Sequence, residues 1–226
     1  MRIFFDVDTQ NDFMNKDGAL YVPNAELIKP NLEKLTKYSF KKGIQLFGSL
    51  DLHSEQDKEL KRNGGPFPDH CMNETDGWCK IKETIAFEKV HHLITESCIL
   101  FMDWNLPTQD DYHDYRNIID WLKLKNNKKA YHGIFFFKNT YDIFANKSLK
   151  KYLNDFGVKE AVVYGVATDY CVKAAALGLR KQGIEIYIVT DAIKAVDEKA
   201  GKAALEEMTQ AGAKFVTTEE VINPKI

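Results

Sequence analysis

Cysteine is scarce: four in 226 residues, at positions 71, 79, 98 and 171. In a chain this long that is no disulfide framework, and no pair has metal-finger spacing. Reduced thiols in a cytoplasmic protein are the expectation. No apolar run approaches the roughly 20 residues needed to cross a bilayer. The N-terminus enters a short apolar run, Ile3-Phe4-Phe5, and meets acids directly after it, which is not the layout of a signal peptide. A charge of one sign is also missing. The 31 basic and 33 acidic residues leave a net charge of −2 with Lys and Glu interspersed, so neither nucleic acid nor a membrane surface is an expected partner. Internal repeats, low-complexity segments and Pro/Ser-rich linkers are absent too.

What is present is an ordinary globular composition, 44% hydrophobic and 28% charged, and one domain over residues 1–226 is expected. Apolar runs at 2–7, 44–50, 133–137, 160–165, 184–190 and 213–216 read as strands. Helical patterns near 25–42, 146–156, 171 onward and 197–211 alternate with them, Asn24 capping the first helix and Gly43 ending it. This alternation predicts an α/β fold, a doubly wound, mostly parallel sheet with helices on both faces. The segment at about 80–132 is an extension that breaks the pattern. Within it Thr108-Gln109-Asp110-Asp111 looks like a capping box, and Tyr112, Tyr115, Ile118, Ile119 and Leu122 recur at helical spacing, so one amphipathic helix is expected near 109–125.

The chemistry concentrates at strand ends. Val162 to Gly165 is a buried strand running into Val166-Ala167-Thr168-Asp169-Tyr170-Cys171 and then an Ala-rich helix. With Asp169 or Thr168 as cap, Cys171 falls in the first helical turn, where the helix dipole and free N–H groups favour the thiolate. The small residues Ala174, Ala175 and Gly178 let that helix lie close to the sheet. A lone cysteine is more often structural. Here, however, Asp8, Asp51 with His53, and Lys138 also lie just past strands, and the carboxyl ends of a parallel sheet share one ligand-binding edge. A cysteine attacking a carbonyl needs a group to take its proton and later protonate the departing amine, a role that Asp8 fits. Lys138 supplies positive charge to hold Asp8 ionised and the thiolate favoured. Backbone N–H groups around Ala167 and Cys171 are the candidate oxyanion hole. Asp51, His53 and His70, the last on a loop stiffened by Pro66 and Pro68, form a carboxylate-and-imidazole set suited to a divalent metal, zinc before iron or manganese. Glu55 and Glu59 are nearby, but their charged surroundings read as a solvated loop.

In order along the chain, Asp8-Thr9-Gln10-Asn11-Asp12-Phe13, Asp51-Leu52-His53, Phe67-Pro68-Asp69-His70-Cys71, Lys138 with Tyr141 and Phe144, and Gly165 through Val172 resemble the nicotinamidase/pyrazinamidase branch of the isochorismatase-like cysteine hydrolases. The resemblance implies a Rossmann-like three-layer fold and an Asp8–Lys138–Cys171 triad. It also implies a divalent metal on Asp51, His53 and His70, Phe13 and Phe67 flanking a substrate ring, and a cis peptide before Ala167. The implied activity is hydrolysis of nicotinamide, and of pyrazinamide, to the acid and ammonia through a cysteine thioester, as part of NAD salvage by a homo-oligomeric enzyme. Phe67 stands where that branch usually has Trp, which bears on the substrate. Two other readings carry different expectations: a cysteine amidase for a carbamoyl or ureido compound, and a non-catalytic binding protein on the same fold.

Overall fold

In the computed structural model, which describes residues 1–85, 90–94, 98–103 and 131–224, strand β1 (Arg2–Val7) is buried on both faces. Successive side chains of a strand point to opposite faces, so two separate cores form across it. Ile3, Phe5 and Val7 join Phe47, Phe136 and Val163 in one; Phe4 joins Leu46, Phe135 and Val162 in the other. The remaining strands are β2 (Gln45–Asp51), β3 (Val90–Ile94), β4 (Cys98–Asp103), β5 (Tyr131–Lys138), β6 (Glu160–Val166), β7 (Glu185–Lys194) and β8 (Lys214–Val216). They hydrogen-bond in the order β3-β4-β5-β2-β1-β6-β7-β8. The six strands from β5 to β8 run parallel, as the β-α alternation predicts, and β3 and β4 extend the β5 edge antiparallel.

Helices cover both faces. Helix α1 (Asn11–Met14) and α2 (Lys29–Lys42) bring Phe13, Met14, Leu32 and Leu35 onto the Phe4 face. Helices α3 (Lys147–Asp155), α4 (Lys173–Lys181) and α5 (Glu198–Gln210) bring Leu149, Leu153, Ala175, Ala176, Leu179 and Met208 onto the Phe5 face. Helix α6 (Thr218–Ile222) closes the described chain with a Thr217–Glu220 capping box. Gly43 ends α2 in the left-handed region as expected, at φ 63°. Asn24 does not cap: it is itself left-handed, its side chain bonds no helix N–H, and a 3-10 turn, Ala25–Ile28, precedes α2. Gly178 serves the ring of Phe144 rather than the sheet, since a Cβ there would lie 2.1 Å from that ring. The helix expected near 109–125 lies outside the described residues. No helix among the described residues is long and apolar enough to cross a membrane.

One buried ion pair fastens the long β2–β3 connection to the sheet. Lys80 Nζ lies 2.9 Å from Asp6 Oδ2, donates to Thr9 Oγ1 at 2.7 Å and sits 4.3 Å from the centre of the Phe135 ring. Thr9 in turn donates to Asp6 Oδ1 and meets Thr84 Oγ1 at 2.8 Å. Burial pushes the Asp6 carboxyl up despite Lys80, and pushes the Lys80 ammonium down despite Asp6. Desolvation therefore outweighs attraction, the usual balance for such pairs. Lys80→Met alone strands a buried carboxylate and is expected to lower stability by about 3–5 kcal/mol in urea unfolding. The double variant Asp6→Leu/Lys80→Met should recover most of that loss. Equal losses in both proteins would show that the pair's charge is not the cost.

Candidate active site

Four adjacent central strands, β5-β2-β1-β6, end at one edge of the sheet, where the chain order reverses about β1. Asp51 and Lys138 are register partners there, and Val7 pairs with Gly165. Only glycine suits position 165: its φ is +117°, and a Cβ would lie 2.1 Å from the Val7 carbonyl oxygen. The β6–β7 register shifts at this point, turning the chain toward the edge. Asp8 is also left-handed, at φ 48°, an unfavourable conformation for a residue with a Cβ that here re-aims its carboxylate just past the strand.

Lys138 holds the centre. Its buried Nζ lies 2.9 Å from Asp8 Oδ2, 3.0 Å from Asp51 Oδ1 and 3.7 Å from Cys171 Sγ. The two carboxylates together hold its ammonium well above the ordinary lysine range although burial acts the other way. Neither Asp8 oxygen receives an in-line hydrogen bond, so its contact with Lys138 is ionic and it keeps acceptor capacity for a thiol proton.

Cys171 lies in the first helical turn, as expected: Thr168–Val172 is a π-helical turn that runs straight into α4 at Lys173. Neither Thr168 nor Asp169 caps it. Asp169 instead accepts from Val196 N and Asp197 N, both at 3.0 Å, and ties this turn to the start of α5. The thiol is pushed well above its usual range, first by burial and then by Asp8 and Asp51, against the single opposing charge of Lys138. Burial thus favours the protonated thiol over the thiolate expected from a helix terminus. Ala167, also at the cavity, follows a cis peptide bond, and its carbonyl accepts from Tyr170 N and Val172 N.

Beside this cluster lie Asp51, His53, Glu59 and His70, one ligand-capable atom from each within 4.8 Å of the others. Glu59 thus comes out of the loop read as solvated and joins the set. His70 Nε2 and His53 Nε2 stand 3.1 and 3.4 Å from Asp51 Oδ2, and Glu59 Oε2 stands 3.8 Å from His53 Nε2. His53 Nε2 is buried with no hydrogen-bond partner, an orphan that a cation would satisfy. Two imidazoles and two carboxylates suit zinc, iron or manganese, so the residues fit a divalent metal. Although burial alone would raise it, Asp51 is held well below the usual carboxylate range by Lys138 and the two imidazoles.

Several residues that position this set carried no signal of their own beyond the motif they stand in. Gln10, fully buried, accepts from Asp51 N at 2.7 Å and donates to the carbonyls of Asp51 and Trp78 at 2.8 and 2.7 Å. Asp12 accepts from Cys71 N at 2.7 Å, fixing the loop that carries His70. The cavity between the two clusters is lined by Cys171, Ala167, Asp51, Glu59 and His70, with Phe13, Phe67, Leu20 and Val22 as apolar walls. Phe13 and Phe67 flank the His70 ring edge-on, at 5.6 and 5.9 Å between centroids. Tyr141, Tyr170 and Val196, all exposed, complete the lining and were not expected from the sequence.

The comparisons with known proteins give the class, a hydrolase of amide carbon–nitrogen bonds on this parallel-sheet fold. Residues 83–220 match the isochorismatase domain. The nicotinamidase of Escherichia coli (strain K12) is 25% identical over 93% of this chain and 92% of its own. The pyrazinamidase of Pyrococcus horikoshii, solved in complex with zinc, superposes with a TM-score of 0.69 at 27% identity, covering 96% of this chain and 98% of that one. PnC1 of L. infantum, solved with nicotinate, shares the fold at 21% identity and a TM-score of 0.70, over 97% and 93% of the two chains. The chain belongs to the isochorismatase family, in its nicotinamidase branch.

The raised thiol has a direct readout. In metal-free protein, alkylation of Cys171 by iodoacetamide, followed by peptide mass spectrometry, should accelerate with pH through an inflection above ~8.5, the ordinary thiol value. An inflection at or below neutral pH would mean a resting thiolate.

Proposed function

We propose that this protein is a nicotinamidase that converts nicotinamide, and pyrazinamide with it, to the acid and ammonia through a thioester on Cys171. The observation that carries the reading is Lys138 Nζ within 2.9 Å of Asp8 and 3.7 Å of Cys171 Sγ, with Cys171 lining an aromatic-walled cavity. Because the thiol rests protonated, Asp8 takes its proton as sulfur attacks the carboxamide carbon. The Lys138 ammonium balances the negative charge that then passes between sulfur and carboxylate. Backbone N–H groups at Ala167 and Cys171 receive the developing oxyanion. Asp8 returns the proton to the departing amine, ammonia leaves, and Asp8 then takes a proton from the water that opens the thioester and passes it to the Cys171 sulfur as the acid is released.

Asp51, His53, Glu59 and His70 would hold the divalent ion, which when bound supplies a Lewis acid for a ring nitrogen or water. Phe13 and Phe67 would bracket a small heteroaromatic ring beside it. With nicotinamide as substrate, the reaction belongs to NAD salvage.

Cys171→Ala should reduce ammonia release from nicotinamide to background with the fold intact by circular dichroism, and Asp8→Asn should reduce kcat by about 10²–10⁴-fold. Turnover of the Cys171 variant at the wild-type rate would end the mechanism. A screen that includes ureido amides decides the substrate: a preference for those over nicotinamide by kcat/KM would favour the carbamoyl-amidase reading. Asp51→Ala should purify with far less divalent ion than wild type by elemental analysis, and equal content would remove these ligands.

A further inference from the structure

Both imidazoles of the candidate metal group have their far nitrogen occupied. His70 Nδ1 lies 2.7 Å from the Pro68 carbonyl oxygen, and His53 Nδ1 lies 3.3 Å from Asp57 Oδ2. The Asp57 carboxylate is itself fixed from two further sides. Ser54 N donates to its Oδ2 at 2.8 Å, and Asn139 Nδ2, on the residue directly after Lys138, donates to its Oδ1 at 2.9 Å. A carboxylate can only accept, so His53 donates to Asp57 from Nδ1, and in the neutral ring this leaves the Nε2 lone pair toward Asp51 and Glu59. That Nε2 is the buried nitrogen without a hydrogen-bond partner.

We propose that Asp57 is a positioning residue for the metal centre, a carboxylate that fixes the ring orientation and tautomer of His53 and so sets the affinity for a divalent cation. Asn139 extends the same device, linking the metal group to the strand end that presents Lys138. The proposal rests on the metal reading above. A carboxylate behind a ligating histidine raises its basicity, and loss of such partners costs about 10–100-fold in metal affinity.

Asp57→Asn separates this role from a structural one. Ser54 N and His53 Nδ1 both meet Oδ2, so an amide oxygen placed there still holds the turn and accepts from Nδ1, but it is neutral and no longer raises the basicity of the ring, while the NH₂ faces Asn139 Nδ2 where an acceptor stood. The measurement is zinc affinity of the full-length, chelator-stripped protein by competition with a chromogenic chelator, beside the melting temperature of the same zinc-free protein. The expected result is a 10–100-fold weaker zinc affinity for Asp57→Asn, with a zinc-free melting temperature close to wild type. Wild-type zinc affinity in a folded Asp57→Asn protein overturns the proposal and leaves the metal site standing. A wild-type protein that binds no zinc overturns both. If Asp57→Asn does not fold, Asn139→Ala, at an exposed position, carries the test: a severalfold loss of zinc affinity is expected, and unchanged affinity overturns the proposal.

Discussion

The site depends on one buried ammonium that balances two buried carboxylates. Taken singly, Asp8, Asp51 and Lys138 are each the kind of group that burial penalises by several kcal/mol. Brought to within about a hydrogen-bond length of one another, they make the edge of the sheet tolerable as a charged place. The division of labour follows from which oxygen Lys138 touches. It takes one oxygen of Asp51 and leaves the other to the two imidazoles, and it takes Asp8 off-axis, leaving that carboxylate able to accept a proton. One cation thereby joins Cys171 to the candidate metal group without blocking either.

The same balance explains why the thiol is not pre-ionised. A single positive charge shared among two carboxylates has little left for a third anion, so burial prevails at sulfur. On the proposed mechanism, sulfur would lose its proton only as its bond to substrate forms, with Asp8 already beside it.

Much of the remaining structure serves to bring a long, irregular connection to this edge. Residues 52–85 form no strand, yet they carry three of the candidate ligands, His53, Glu59 and His70, and a wall of the cavity. Gln10 clamps both the end of β2 and the Trp78 carbonyl, Asp12 anchors Cys71, and Lys80 is locked to Asp6 inside the sheet. All three tethers start from β1 or the residues just after it. The first strand and the turn that follows are therefore a mount for the loop as well as the source of Asp8.

Periodicity and punctuation in the sequence determined the alternating layers, the parallel sheet and the placing of Asp8, Asp51, Lys138 and Cys171 at strand ends, because apolar runs and the turns after them are local properties. Polar residues that gather at one edge of a parallel sheet follow from topology, and topology follows from that alternation. What only the tertiary structure decided is how those groups act on one another. That Glu59 leaves solvent for the metal group, that Tyr141, Tyr170 and Val196 line the cavity, and that Asp57 backs His53 depends on folding of loops with no repeating pattern. The protonation of Cys171 was likewise beyond the sequence: a position near a helix start argues for a thiolate, but the sum of burial and two neighbouring carboxylates is a property of distances in space.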